Sequence, residues 1–122
     1  MAKDMNCFNG IGYIASDVTM SYLKKGTGYC DFVIAINDDF KRGNEVIKEV
    51  SFLNCRAWTG LAESIVKYCG KGSRLAITAK VTQERWEDAA KIKQSRIKFI
   101  LSEAHFISNP NEEQKTKHGK RN

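Results

Sequence analysis

Short apolar runs punctuated by Gly, Asp, Asn and Ser recur about every ten residues through the first half of the chain, the rhythm of a small all-β domain. Five segments rich in Ile, Val, Phe and Thr read as strands: Cys7 to Ile14, Tyr29 to Asn37, Val46 to Trp58, Arg74 to Trp86 and Lys91 to Ile107. Thr59 to Cys69 breaks the alternation. There Leu61, Ala62, Ile65, Val66 and Cys69 fall at helical spacing, with Glu63 near the start and Gly70 and Gly72 past the end. One helix is therefore expected between strands three and four. Gly10-Ile11-Gly12 lacks the further Gly and the helix start of a dinucleotide fingerprint and reads as turn or bulge material.

Three strands, a helix and two strands is the order of the OB-fold, a five-stranded Greek-key barrel that commonly holds oligonucleotides; an SH3-like barrel is the competing architecture. Past Ile107 the pattern stops. Asn109-Pro110-Asn111 is a turn, and Glu112 to Asn122 carries no apolar side chain. The expected organisation is one OB-fold domain over residues 1–108 and a short, basic, disordered tail over 109–122.

Alternate residues of a strand serve opposite faces. In strand three the even positions are Lys48, Val50, Phe52, Asn54, Arg56 and Trp58, whereas Ser51, Leu53, Cys55 and Ala57 are smaller and mostly apolar. Strand four divides the same way, with Leu75, Ile77, Ala79 and Val81 against Arg74, Thr78, Lys80, Thr82 and Trp86. Each strand thus has a basic face that includes a Trp. Unpaired nucleic-acid strands need that combination, because cations follow phosphates while rings stack on bases of any identity. Taken singly, Phe52, Trp58 or Trp86 reads as a core or interface residue, and Lys48, Lys80 or Lys98 as a solvated strand face.

Charge strengthens the picture. Twenty Lys and Arg against fourteen Asp and Glu give the 122 residues a formal charge of +6 and a pI near 9.2, so phosphate polymers and anionic membranes are both candidate partners. The longest uncharged apolar run, Phe32 to Ile36, falls far short of the ~20 residues that span a bilayer. No secretory pattern opens the chain. Cys7, Cys30, Cys55 and Cys69 form no Cys-x-x-Cys pair and sit in apolar patterns, as free thiols of a cytoplasmic protein do. His105 and His118 lie far from each other and from any cysteine, which gives no zinc-ligand spacing; neither metal nor cofactor is expected. Glu84, Glu87 and Asp88 cluster around Trp86, the one acidic group from which a metal-dependent nuclease could be built.

At this point the motifs line up with a family. Met5-Asn6, Gly12-Tyr13-Ile14-Ala15-Ser16-Asp17, Tyr22 and Gly26, Asp31-Phe32-x-x-Ala35, Trp58-Thr59-Gly60-Leu61-Ala62-Glu63, Tyr68-x-x-Lys71-Gly72-Ser73 and Arg85-Trp86 occur in order. From Met5 to about Ile107 the chain resembles a bacterial-type single-stranded DNA-binding protein. The resemblance implies an OB-fold and a non-enzymatic protein that coats single-stranded DNA in replication, recombination or repair, in the cytoplasm on nucleoid DNA, as a homotetramer. It places base stacking on Phe40, Phe52, Trp58 and Trp86 and phosphate contacts on Lys41, Lys71 and Arg85; strand parity adds Lys48, Arg56 and Lys80. An RNA-binding or primosome-type OB protein would use the same surface on another polymer.

Departures from the family pattern are specific. Phe40 and Phe52 stand where Trp is common, Trp58 where Phe is common, Val18 where Pro follows Asp17, Ser21 before Tyr22 where a basic residue is usual, Glu84 where a cation is frequent, and Leu53 where a His often lies near subunit contacts. The acidic, hydrophobic-tipped tail that recruits repair enzymes has no counterpart, since no Asp follows Asp88 and no Phe follows Phe106. That implies a compact, phage- or element-encoded form or a specialised paralogue.

Overall fold

A computed structural model describes residues 2–110 of the chain. In chain order the described elements are β1 (Phe8–Ile14), β2 (Met20–Tyr22), β3 (Gly28–Asn37), β4 (Phe40–Arg42), β5 (Glu45–Ile47), β6 (Val50–Trp58), α1 (Thr59–Tyr68), β7 (Arg74–Glu87) and β8 (Lys93–Ser108). Five strands pair in a ring, β1 to β7 to β8 to β6 to β3 and back to β1. Every contact in it is antiparallel except that of β6 with β8. With α1 between the third and fourth ring strands, this is the all-β OB-fold expected from the element order.

Alternation along the strands fills the ring. Ile14, Phe32, Ile34, Leu53, Cys55, Leu75, Ile77, Ala79 and Leu101 form the core, and Ala62 and Ile65 of α1 join it. The ring closes where β1 meets β3, and there the chain needs Gly12: a Cβ on it would lie 2.5 Å from the Ala35 carbonyl oxygen and 2.6 Å from Ile34 Cγ2. Gly10-Ile11-Gly12 is thus the interior of a strand, not a turn or bulge. At the other end of β1 the Asn6 side-chain amide substitutes for a strand: its Nδ2 donates to the Val81 carbonyl (2.7 Å) and its Oδ1 accepts from the Val81 N–H (2.9 Å).

The expected strand Val46 to Trp58 is two pieces. Val46 belongs to β5, which pairs with β4 in a separate two-stranded ribbon, and the chain leaves strand geometry at Lys48 and Glu49 before β6 begins. Strands β2 and β4 have only three residues each, too few for a periodicity. In β8 the register with β7 steps from Thr78–Glu103 to Ala79–Leu101, leaving Ser102 as an extra residue. Such a bulge reverses strand parity: the core-packed positions change from Phe99 and Leu101 to Ala104.

Burial pushes the Cys30 thiol up to about 11 and that of Cys55 to about 12, and all four cysteines are free. Among the described residues, no helix is long and apolar enough to cross a membrane. Asn109, the first residue of the expected tail, accepts a hydrogen bond from the Ser73 hydroxyl and donates to the Tyr68 carbonyl. Residues 111–122 of that tail lie outside the described residues.

Candidate nucleic-acid interface

Because Leu53, Cys55 and Ala57 point into the ring, β6 turns Phe52, Asn54, Arg56 and Trp58 outward. Register sets Ala35 opposite Phe52, Asp31 opposite Arg56 and Tyr29 opposite Trp58 on β3. On the far side, β8 and β7 continue the face with Ile100 opposite Lys80, Lys98 opposite Thr82, Arg96 opposite Glu84 and Gln94 opposite Trp86. The two faces chosen by parity are therefore parts of one outer surface, joined through β8.

Three of the four candidate stacking rings are open to solvent: Phe52 is 64% exposed, Trp86 41% and Phe40 38%. Rings so placed contribute little to the core and are available to a partner. Phe52 lies mid-sheet, whereas Phe40 sits on the β4–β5 ribbon with the Arg42 guanidinium 6.0 Å from its centroid. Trp58 is half-buried at the end of β6. The Tyr29 ring leans on it at 45° with centroids 5.2 Å apart, and the Arg56 guanidinium stands 5.5 Å from Trp58 and 4.8 Å from Tyr29. Trp86 has the Arg96 guanidinium 4.9 Å over its ring, a cation–π contact that stiffens an exposed aromatic.

The candidate cations fall into three situations. Lys41 on the ribbon, Lys80 on the outer face of β7 and Lys71 in the loop after α1 are exposed strand or loop lysines; Lys48, exposed too, stands at the break between β5 and β6 and not on the even face of a long strand. Arg85 alternates with Trp86, so it leaves the opposite face of the β7–β8 hairpin, where it donates to Gln83 Oε1 (2.6 Å). Arg56 is already occupied: its Nε and Nη2 meet the two oxygens of Asp31 at 2.6 and 3.0 Å, and Nη2 lies 3.7 Å from Glu84.

Lys98, which by sequence reads as a solvated strand face, is instead 4% exposed, with Nζ 3.6 Å from Asp31. Burial alone would raise the Asp31 carboxyl, but hydrogen bonds and charge from Arg56 and Lys98 outweigh it and hold the group below its ordinary value. Glu84 is likewise held down, chiefly by the hydrogen bond from Arg96. Asp31, Arg56, Glu84, Arg96 and Lys98 thus form one network across this outer face.

Sequence parity missed several members of this surface. Tyr29 and Arg96 enter it only through cross-strand register. Tyr13 does so by a longer route, beside Arg74, which strand parity does place on the outer face: Arg74, Tyr13, Ala35 and Phe52 follow one another across β7, β1, β3 and β6, and Arg74 both stacks on Tyr13 (5.1 Å) and donates to its hydroxyl (3.0 Å). This row brings the chain three residues after Lys71 into line with Phe52. The acidic trio, by contrast, separates. Glu84 pairs with arginines, while Asp88 accepts from the Ala90 and Ile92 N–H groups and from Gln94 to shape the hairpin turn. Among the described residues, no group of three or more His, Cys, Asp or Glu is placed to hold a metal ion.

An OB-fold ring with exposed rings and cations on one outer face has a counterpart among known proteins: residues 5–107 match the single-strand binding protein family. The chain belongs to that family. The match to the single-strand binding protein family begins one residue before the Asn6 clamp and runs almost to the end of β8, so every candidate ring and cation lies inside it.

Two relatives illustrate the similarity. A single-stranded DNA-binding protein of Treponema pallidum (strain Nichols) is 32% identical over 99 residues, covering 81% of this chain and 54% of that protein. One of Aquifex aeolicus (strain VF5) is 30% identical over 101 residues, covering 82% and 68%. The chain thus spans about half the length of the Treponema relative. Among solved structures, the Plasmodium falciparum SSB complex with ssDNA superposes with a TM-score of 0.77 at 19% identity, over 88% of this chain and 99% of that one. At that identity the likeness establishes a shared fold.

Proposed function

We propose that this chain binds single-stranded DNA without strong sequence preference and coats it during replication, recombination or repair, as a cytoplasmic binding protein and not as an enzyme. The observation that carries the reading is the outer face of β6, β8 and β7, where Phe52, Trp58 and Trp86 sit among arginines and lysines. Unpaired bases gain by stacking on such rings, and duplex DNA hides its base faces. Phe40 and Lys41 on the β4–β5 ribbon, Lys48 beside it, Lys71, Lys80 and Arg56 supply further stacking and phosphate contacts, Arg56 only where a phosphate competes with Asp31, and Arg85 does so from the other face of the β7–β8 hairpin. A single OB barrel offers a short path, so we assign the working form as a homotetramer with the strand wrapped across several copies.

Intrinsic fluorescence tests this reading, because Trp58 and Trp86 are the only tryptophans in the sequence. Saturating oligo-dT should quench most of the emission, a duplex of equal length should quench little, and an RNA oligomer of the same sequence should compete poorly. Light scattering should give about four times the 13.8 kDa chain mass. Equal quenching by duplex would remove the stacking reading, tighter RNA binding would change the polymer, and a monomer at micromolar concentration would remove the tetramer.

A further inference from the structure

We propose that Glu84 is a built-in competitor for DNA phosphate: its carboxylate occupies the Arg96 guanidinium on the floor between the two tryptophans, and a bound strand must displace it. The proposal rests on the single-stranded DNA reading above. Glu84 faces Arg96 directly across the β7–β8 register. Its Oε1 accepts from Arg96 Nη2 at 2.9 Å and from Nε at 3.3 Å, while its Oε2 lies 3.7 Å from Arg56 Nη2. Arg56 in turn stands over Trp58 and Arg96 over Trp86. A chain of ring, guanidinium, carboxylate, guanidinium and ring therefore joins the two stacking positions through one acidic side chain.

A carboxylate and a phosphate present the same paired oxygens to a guanidinium. A strand whose bases lie on Trp58 and Trp86 carries its phosphates across the gap between them, where Glu84 already holds that position. The exposure of each arginine and the oxygens it engages decide which pair exchanges. The Arg96 and Glu84 side chains are 47% and 28% exposed, so their contact opens without disturbing the core. Arg56 is only 21% exposed and is bound bidentately to Asp31, whose carboxylate also meets the buried Lys98. Asp31–Arg56 is accordingly the fixed part of the floor, and Glu84–Arg96 the exchangeable part. With Asp31 and Glu84 both ionised, the three cations here are offset by two carboxylates, which leaves this part of the face a single net positive charge.

The test uses the full chain and oligo-dT, with affinity measured between about 50 and about 200 mM salt for wild type, Glu84→Gln, Glu84→Asp, Arg96→Ala and the Glu84→Gln/Arg96→Ala double variant. In the wild type the counterion released when Arg96 meets a phosphate is offset by the one that the displaced Glu84 carboxylate takes up, whereas Gln takes up none; Glu84→Gln should therefore bind more tightly, with a log–log salt slope steeper by up to about 0.7, and its advantage should shrink by up to about 2.6-fold across that range. Glu84→Asp keeps the charge and should keep the wild-type slope. In the Arg96→Ala background, Glu84→Gln should gain little. If Glu84 merely braces the rings, Glu84→Gln binds more weakly at an unchanged slope, and the proposal is overturned. Equal affinity and slope for wild type and Glu84→Gln also overturn it, whereas a wild type that ignores oligo-dT removes the underlying DNA reading.

Discussion

Phe52→Ala separates a stacking surface from a structural one. Phe52 keeps 64% of its surface in solvent, so only about a third of the ring is withdrawn from water. Full burial of a Phe is worth up to about 3 kcal/mol; truncation here therefore costs the fold about 1 kcal/mol at most, a fall in Tm of a few degrees for a domain of this size. A lost base stack costs about 1–3 kcal/mol of binding, or about 5- to 150-fold in Kd. Phe32, on neighbouring β3 and 3% exposed, supplies the opposite case: Phe32→Ala should cost about 3–5 kcal/mol of stability and leave the affinity of the folded fraction intact. The pair is read by thermal melts and by oligo-dT titration of matched folded concentrations. If Phe52→Ala melts as early as Phe32→Ala, or its mass falls, while folded protein binds normally, Phe52 is a packing or subunit-contact residue and the outer face has been misassigned.

Four further outcomes follow from individual contacts. Trp86→Ala should weaken oligo-dT binding by about 1–3 kcal/mol with little change in Tm; a large Tm loss with normal affinity would make Trp86 structural. Gly12→Ala should lower Tm markedly, because its Cβ would strike the Ala35 carbonyl where the ring closes, and an unchanged melt would show that β1 and β3 can separate there freely. Thiol labelling near pH 8 should find Cys7, which is exposed, reacting quickly, and Cys30 and Cys55, buried with thiols pushed up to about 11 and 12, reacting only on unfolding; fast labelling of a Cys7→Ser/Cys69→Ser variant would contradict the burial. Because Asp31 titrates below its ordinary 3.8, its contribution to stability is fully present above that pH and lost as pH falls through the lower folded value. The stability gap between wild type and Asp31→Asn should hold through neutral pH and close only in strong acid; a gap that closes near pH 6 would refute the assignment.

What could be read along the chain depended on local geometry. Strand alternation is a property of neighbouring residues, so the outward rank of Phe52, Arg56 and Trp58 and that of Lys80 and Trp86 are visible in sequence, as is the helix that fills the ring with Ala62 and Ile65. Alternation fails wherever the chain itself departs from it. The break at Lys48 and Glu49 detaches a ribbon from the expected third strand, and the extra Ser102 shifts parity in β8. Only the tertiary structure joins residues far apart in sequence. Gly12 owes its identity to the Ala35 carbonyl 23 positions away, and Lys98 is buried beside Asp31 although a lone lysine on a strand reads as solvated. The network of Asp31, Arg56, Glu84, Arg96 and Lys98 arises because four strands meet in one register, and a pairing register is set by how whole strands pack around a shared core and not by any single segment.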